Sequence, residues 1–126
     1  MGPARRPATL RVMNEVLANH VAWRRKNIRH QYVGRLAAMD DRIRFIGRAP
    51  ELGIDVALSI PFEQITSMRD ARGAGEAVLG ARGLVLELAS AESIFLRELG
   101  DGIAPSRLLR ALEQALAGGA LEAAHA

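Results

Sequence analysis

The strongest constraint on the fold is the regular alternation of apolar residues with polar or small ones. The clearest run is Ile54–Ile60, in which every second residue is a large aliphatic one. Side chains on a strand point alternately to its two faces, so this run predicts a strand with one buried face. The pattern recurs between residues 20 and 99, where it predicts seven strands: His20–Ile28, Tyr32–Met39, Arg42–Arg48, Ile54–Ile60, Gln64–Arg72, Gly83–Ala89 and Ser93–Leu99.

After residue 104 the spacing of apolar residues becomes helical. Pro105 suits the first turn of a helix, and Leu108 and Leu112 belong to an apolar stripe on one side of it. Gly118 and Gly119 predict that this helix ends at residue 117. A helix with one apolar face can close the open corner of a small antiparallel barrel. The sequence therefore predicts a mainly β domain, a seven-stranded antiparallel two-sheet barrel capped by a C-terminal amphipathic helix.

The inward faces of the alternating runs predict the core of this barrel. Its expected members are Ile43, Phe45, Val56, Leu58, Leu86 and Leu88.

The two ends of the chain differ in composition from its middle. The chain has 126 residues, which is enough for one domain, and we place that domain at residues 20–117. Residues 1–19 form a basic extension. Within it, apolar residues at helical spacing predict a short helix over about residues 9–19: Leu10, Met13, Val16 and Leu17. Residues 118–126 are predicted to be a disordered tail.

Residues that could carry catalytic or metal chemistry are sparse. The chain has no cysteine, which excludes a disulfide framework and a thiol nucleophile. None of its three histidines has a second histidine or a carboxylate at metal-ligand spacing, and the glycines near Gly73 do not match a phosphate-binding loop. We therefore expect no enzyme activity, cofactor, metal or small-molecule substrate. No run of about 18 apolar residues is present, which predicts a cytoplasmic protein.

Positive charge is concentrated at the start of the chain. Residues 1–35 carry a net charge of +7, whereas residues 36–126 carry −4. Such asymmetry indicates an anionic partner, although a solvated basic segment accounts for it equally well. All but one of the 17 cations are arginine, a bias typical of GC-rich bacterial coding. The candidate residues for binding an anion or a partner are Arg24, Arg25, Lys26, Arg29 and Arg35.

A glycine-rich connection separates the fifth and sixth predicted strands. It contains four glycines between Gly73 and Gly83, which remove steric restriction on the backbone. We expect residues 73–81 to be mobile, and a connection of this length is either functional or disordered. Val78 and Leu79 are the residues through which it could form an interface.

Several short motifs, taken in order, resemble those of the pleckstrin-homology-like superfold, and most closely its GRAM and bacterial members. Tyr32–Leu36 and Asp41–Phe45 resemble the aromatic-x-Gly-x-Leu hairpin and the basic–aliphatic–x–Phe strand of that group. Ile60–Ile65 resembles its Ile-Pro-aromatic step between sheets, and Leu108–Leu116 its capping helix. The resemblance covers about residues 20–117. It implies a binding module and not an enzyme.

The resemblance also bears on ligands. Many of these relatives hold proteins or anionic lipid headgroups, and the lipid-binding subset places basic residues in the first hairpin and its strands. Arg24, Arg25, Lys26, Arg29 and Arg35 fall in that region, but the terminal Arg-x-Arg of the subset's motif is not matched.

We expect a non-catalytic adaptor or scaffold module that acts through protein–protein contact or self-association. The alternative is peripheral binding to anionic lipids at the inner face of the membrane, through the basic hairpin. A third hypothesis is nucleic-acid binding of low specificity. Aromatic residues make up only 4% of the chain, and Trp23 and Tyr32 are the only candidates for stacking on bases, which makes nucleic acid an unlikely partner. The dependence of binding on salt distinguishes the adaptor hypothesis from the lipid hypothesis, because attraction to lipid through arginines weakens as ionic strength rises.

Overall fold

The computed structural model describes the backbone of residues 15–125 and the side chains of residues 15–118. It contains seven strands followed by one helix. The strands are β1 (Glu15–Arg25), β2 (Tyr32–Ala38), β3 (Arg42–Ala49), β4 (Ile54–Pro61), β5 (Ile65–Asp70), β6 (Leu84–Leu88) and β7 (Ser93–Glu98). The helix α1 is Pro105–His125, and single 3-10 turns occupy Phe62–Gln64 and Ala74–Glu76.

The seven strands form one continuous antiparallel series. Their order is β4-β3-β2-β1-β7-β6-β5. The sheet curls into a half-barrel, so that β4 and β5 are its two edges although the chain passes directly from one to the other through the turn at Phe62–Gln64. The predicted mainly β class, the number of strands and the single C-terminal helix are confirmed.

The predicted N-terminal helix is wrong where the structure describes it. Residues 15–19 belong to β1, and residues 9–14 lie outside the described residues. The register of β1 against β2 shifts twice, between Val16 and Ala18 and between Ala18 and Val21. Such bulges insert extra residues into a strand and interrupt its alternation. As a result Leu17, Ala18 and Val21 are all buried at a spacing that imitates a helix.

The inner face of the sheet carries the main core. Ile43, Phe45 and Leu86 are fully buried there, as predicted. The other predicted core residues are only partly buried: Val56 and Leu58 on the edge strand and Leu88 at the end of β6. Arg44 points outward from β3 and is exposed, which confirms the predicted register.

An aromatic stack forms the centre of this core. The ring of Trp23 on β1 lies 4.8 Å from that of Phe45 on β3, across the intervening strand β2. On β2, Gly34 lies midway between the partners of these two residues, Tyr32 and Leu36, and it pairs with Gly47 of β3. Two opposed glycines leave the sheet without side chains at this point, which lets the backbones of β2 and β3 approach closely. Tyr32 completes the stack at 5.6 Å from Trp23.

Helix α1 covers the inner face through its leucine stripe. Leu108 and Leu112 are fully buried against the main core, and the helix contacts β1, β7 and β5. The backbone continues as helix past Gly118 to His125, so the predicted end at residue 117 is wrong. Glycine inside a helix costs only about 1 kcal/mol relative to alanine, and the segment that follows is rich in alanine.

Candidate binding surfaces

The glycine-rich connection packs on the outer face of the sheet. Val78 is fully buried in a second apolar cluster with Ala22, Val85 and Phe95, which belong to β1, β6 and β7. A short bridge between Val78 and Ala81 closes the tip of the connection. Val78 is therefore not available as an exposed interface residue. Leu79 is available for contact, because it lies at the tip of the connection and is 45% exposed. Its backbone N–H donates a hydrogen bond to the side-chain oxygen of Gln31 (2.5 Å).

Arg24 holds this connection against the sheet. Its guanidinium lies 4.6 Å from the centre of the Phe95 ring. Its Nε donates a hydrogen bond to the carbonyl of Ala77 (2.9 Å), and its Nη2 donates to that of Gly75 (2.7 Å). Cation–π contact and hydrogen bonds to carbonyls together fix the orientation of the guanidinium. Arg24 is thus a structural clamp and is not free to bind an external anion.

An ion-pair network fixes the other end of the connection. Arg69 donates two hydrogen bonds to the carboxylate of Glu76, at 2.9 and 2.7 Å, and the backbone N–H of Arg72 donates to the same group at 2.7 Å. These bonds favour the charged form and lower the pKa of Glu76 to about 2. The hydroxyl of Ser67 donates to Glu87 (2.6 Å) and, with Arg69 nearby, holds the pKa of Glu87 below its ordinary value. The segment expected to be mobile is therefore tied to the sheet at several points.

The other cations of the first hairpin do not converge on one pocket. Arg25 follows Arg24 on β1 and so projects to the opposite face of the sheet. Lys26 and Arg29 are exposed in the turn that follows, while Arg35 lies further along, on the outer face of β2. The five predicted residues therefore comprise one internal clamp and four separate charges.

Arg35 instead belongs to a group of arginines on the outer face, which we call the outer arginine patch (Arg35, Arg44 and Arg48). Arg35 pairs across strands with Ile46, and Arg44 and Arg48 lie two residues to either side of Ile46 on β3. All three arginines are exposed, and Ile46 between them is 47% exposed. Arg48 approaches the carboxylate of Asp55 at 3.7 Å. The sequence analysis missed this patch, although the alternation in β3 and the hairpin register could have placed its members together.

The strand β4 presents an open edge, which we call the β4 edge (Ile54–Pro61). It pairs only with β3, and within residues 15–125 no strand lies on its other side. Its inward-facing residues become more exposed toward the start of the strand, from the buried Ile60 to Ile54, which is 50% exposed. This edge therefore combines unpaired backbone groups with accessible apolar side chains.

Trp23 is buried and Tyr32 half-buried in the aromatic stack, so neither forms an exposed platform for bases. Across the described part of the chain, no three residues of the types histidine, cysteine, aspartate and glutamate are grouped so that they could hold a metal ion. Of the helices described, none has the length and apolar character needed to cross a membrane.

Comparison with known proteins adds no relative. No family model matches the chain, and neither the curated proteins nor the solved structures include a significant match.

Proposed function

We propose that this chain is a non-catalytic, pleckstrin-homology-like binding module that associates with a second copy of itself through the β4 edge. The family part of the proposal is supported by the order of the motifs at Tyr32–Leu36, Asp41–Phe45 and Ile60–Ile65. It is supported also by a curled antiparallel sheet of seven strands with a single C-terminal helix on its open side. The proposal takes β1–β4 and β5–β7 as the two sheets of such a barrel, within a series of strands that is continuous from β4 to β5.

The observation that carries the proposal is the character of β4. Natural edge strands are commonly protected by lysines, bulges or covering segments, because an unpaired strand invites another strand to add to it. The only charged residue of β4 is Asp55, and only Pro61, at its end, interrupts the row of backbone donors. The strand is eight residues long and pairs with β3 without a bulge. Strand addition at such an edge supplies affinity through main-chain hydrogen bonds.

A second copy of β4 fits this edge in an antiparallel pairing about a two-fold axis. With Ala57 opposite its own copy, Val56 lies opposite Leu58, and Ile54 opposite Ile60. The apolar inner faces then continue from one sheet to the next, and Asp55 lies opposite Ser59, so that like charges are not opposed. The contact is isologous and closes with two copies.

The experiment measures oligomeric state by sedimentation velocity over a range of concentrations. We expect a wild-type dimer, and Ile54→Lys should shift it to monomer, since a lysine on an edge strand opposes strand addition. The matched control is Ile46→Lys, which changes an equally exposed isoleucine on an internal strand and should leave the dimer intact. A wild type that remains monomeric at the highest concentration, or equal loss in both variants, would refute the proposal.

The outer arginine patch favours a second function, peripheral attraction to an anionic membrane. Each basic residue near such a surface contributes about 1 kcal/mol, so three arginines around an exposed isoleucine give weak, salt-sensitive binding. Replacing Arg35, Arg44 and Arg48 with glutamine should abolish co-sedimentation with phosphatidylserine vesicles at low salt. Replacing Arg25, Lys26 and Arg29 with glutamine removes the same amount of charge and should reduce vesicle binding less. If this second variant loses more binding than the first, the membrane site lies in the hairpin. If the wild type does not bind the vesicles, the membrane function is excluded.

A further inference from the structure

The tip of the glycine-rich connection is a tight two-residue turn. Val78 and Ala81 exchange two backbone hydrogen bonds, from the N–H of Val78 to the carbonyl of Ala81 (2.8 Å) and from the N–H of Ala81 to the carbonyl of Val78 (3.1 Å). The two residues between them, Leu79 and Gly80, have φ angles of 48° and 81°. Among the standard β-turns, only type I′ has a positive φ at both central positions. The connection therefore ends in a type I′ hairpin turn.

Leucine is an unfavourable residue at the first central position of this turn. Asparagine, aspartate and glycine are strongly preferred there, because a positive φ brings the Cβ of other residues too close to the backbone. Leu79 gains little burial in return, since 45% of it is exposed. Its bond to Gln31 uses only the backbone N–H, which every residue except proline could supply. A strained position occupied by a side chain that the fold leaves exposed points to a contact outside the chain.

The turn lies on the outer face of the sheet, at the border of the outer arginine patch. Val78 anchors it in the second apolar cluster, against which Val33 of β2 also packs. Val33 is the cross-strand partner of Arg48, which belongs to the patch. The only acidic residue of the connection, Glu76, is bonded to Arg69 and so does not offset the charge of the patch. An exposed leucine therefore borders three exposed arginines on the same side of the sheet.

We propose that Leu79 is a membrane anchor, which enters the interfacial layer of an anionic bilayer while the outer arginine patch contacts the headgroups. This inference rests on the second proposed function, the attraction of that patch to anionic membranes. The arginines are spread over β2 and β3 on an open face, which suits an extended anionic surface better than a single anionic group. Burial of apolar area in the interface and attraction to anionic lipids add to each other. The leucine thus supplies a part of the affinity that salt does not screen.

The variant Leu79→Asn separates membrane anchoring from a role in the fold. Its binding to vesicles of equal parts phosphatidylserine and phosphatidylcholine should weaken about three- to tenfold, because the exposed half of a leucine is no longer removed from water. The urea midpoint of unfolding should stay equal or rise, because Asn-Gly is a preferred type I′ pair. A leucine that served only the fold would give the opposite pair of results. The control is Val16→Thr, which changes an equally exposed residue at the far end of β1 and should leave vesicle binding unchanged.

A fluorescent label tests insertion directly. The chain has no cysteine, so Leu79→Cys accepts a single environment-sensitive fluorophore at the turn. Vesicles should shift the emission of this label to shorter wavelength and leave the emission of a label at Val16→Cys unchanged. If the wild type binds vesicles but the label at position 79 does not respond, or Leu79→Asn binds as tightly as the wild type, the anchor is wrong and the arginine patch stands alone. If the wild type does not bind vesicles, the anchor and the membrane function are both refuted.

Discussion

Gly34 is the position where the fold should tolerate substitution least. A Cβ at this residue would lie 2.1 Å from the carbonyl oxygen of Ile46 and 2.4 Å from the Cα of Gly47. Both obstacles are backbone atoms, so a change of rotamer cannot relieve the contact and β2 and β3 must separate. Separation would also disturb the contact of Trp23 with Phe45 across this point.

The expected loss of stability follows from these contacts. Forcing extra methylene groups into a well-packed core costs about 1–3 kcal/mol when side chains can adjust. Gly34→Ala meets backbone instead, so we expect a loss above about 3 kcal/mol, a large part of the roughly 5–15 kcal/mol that stabilises a domain of this kind. The measurement is urea unfolding followed by Trp23 fluorescence, with free energies from linear extrapolation.

Gly75→Ala is the control for this prediction. A Cβ at Gly75 meets nothing within 4 Å, and the residue does not have a positive φ. The free energy of unfolding of this variant should therefore lie within about 0.5–1 kcal/mol of the wild-type value. Any difference should be stabilising, because alanine reduces the conformational freedom of the unfolded chain. If Gly34→Ala and Gly75→Ala proved equally stable, the close approach of β2 and β3 inferred here would be wrong.

Three further changes test the parts of the fold that frame the candidate surfaces. Arg24→Met should speed amide hydrogen exchange in residues 73–78 by releasing the clamp, whereas Lys26→Met, an equal loss of charge nearby, should not. The lowered pKa of Glu76 gives stability that is fully present above its ordinary value of 4.5 and is lost as the pH falls toward about 2. Glu76→Gln should remove that part of the pH dependence of unfolding. Leu112→Ala should cost about 2–5 kcal/mol in urea unfolding because Leu112 is fully buried, and Leu109→Ala less because it is only partly buried.

Most of the fold could be predicted because strand alternation reports burial directly. β3 and β4 alternate without a bulge, and their bounds are found to within one residue. β1 could not be predicted in the same way, because its bulges place buried residues at Leu17, Ala18 and Val21. The end of α1 was missed for another reason: two glycines weaken a helix but do not stop it when good helix formers follow.

The candidate site was harder to predict than the fold, because a charge count does not show what each side chain contacts. Arg24 was grouped with its neighbours by sequence, yet its partners are Phe95 and the carbonyls of Gly75 and Ala77, more than 50 residues away. Arg44 was predicted to point outward, but its place beside Arg35 depends on the register of β2 and β3. The partners of Arg24 are long-range, and pairing over such distances leaves no local signal in the sequence.

The proposed dimer and the outer arginine patch reinforce each other through the geometry of the sheet. When two antiparallel β4 strands pair about a two-fold axis normal to the sheet, the outer faces of both copies lie on the same side. The patch on β2 and β3 is then doubled on one continuous surface. Linked weak sites bind with an avidity that exceeds either one alone. Ile54→Lys should therefore reduce vesicle binding along with dimerisation, although it leaves all three arginines of the patch in place and adds a positive charge. If that variant becomes monomeric and binds vesicles as well as the wild type, the two functions are independent.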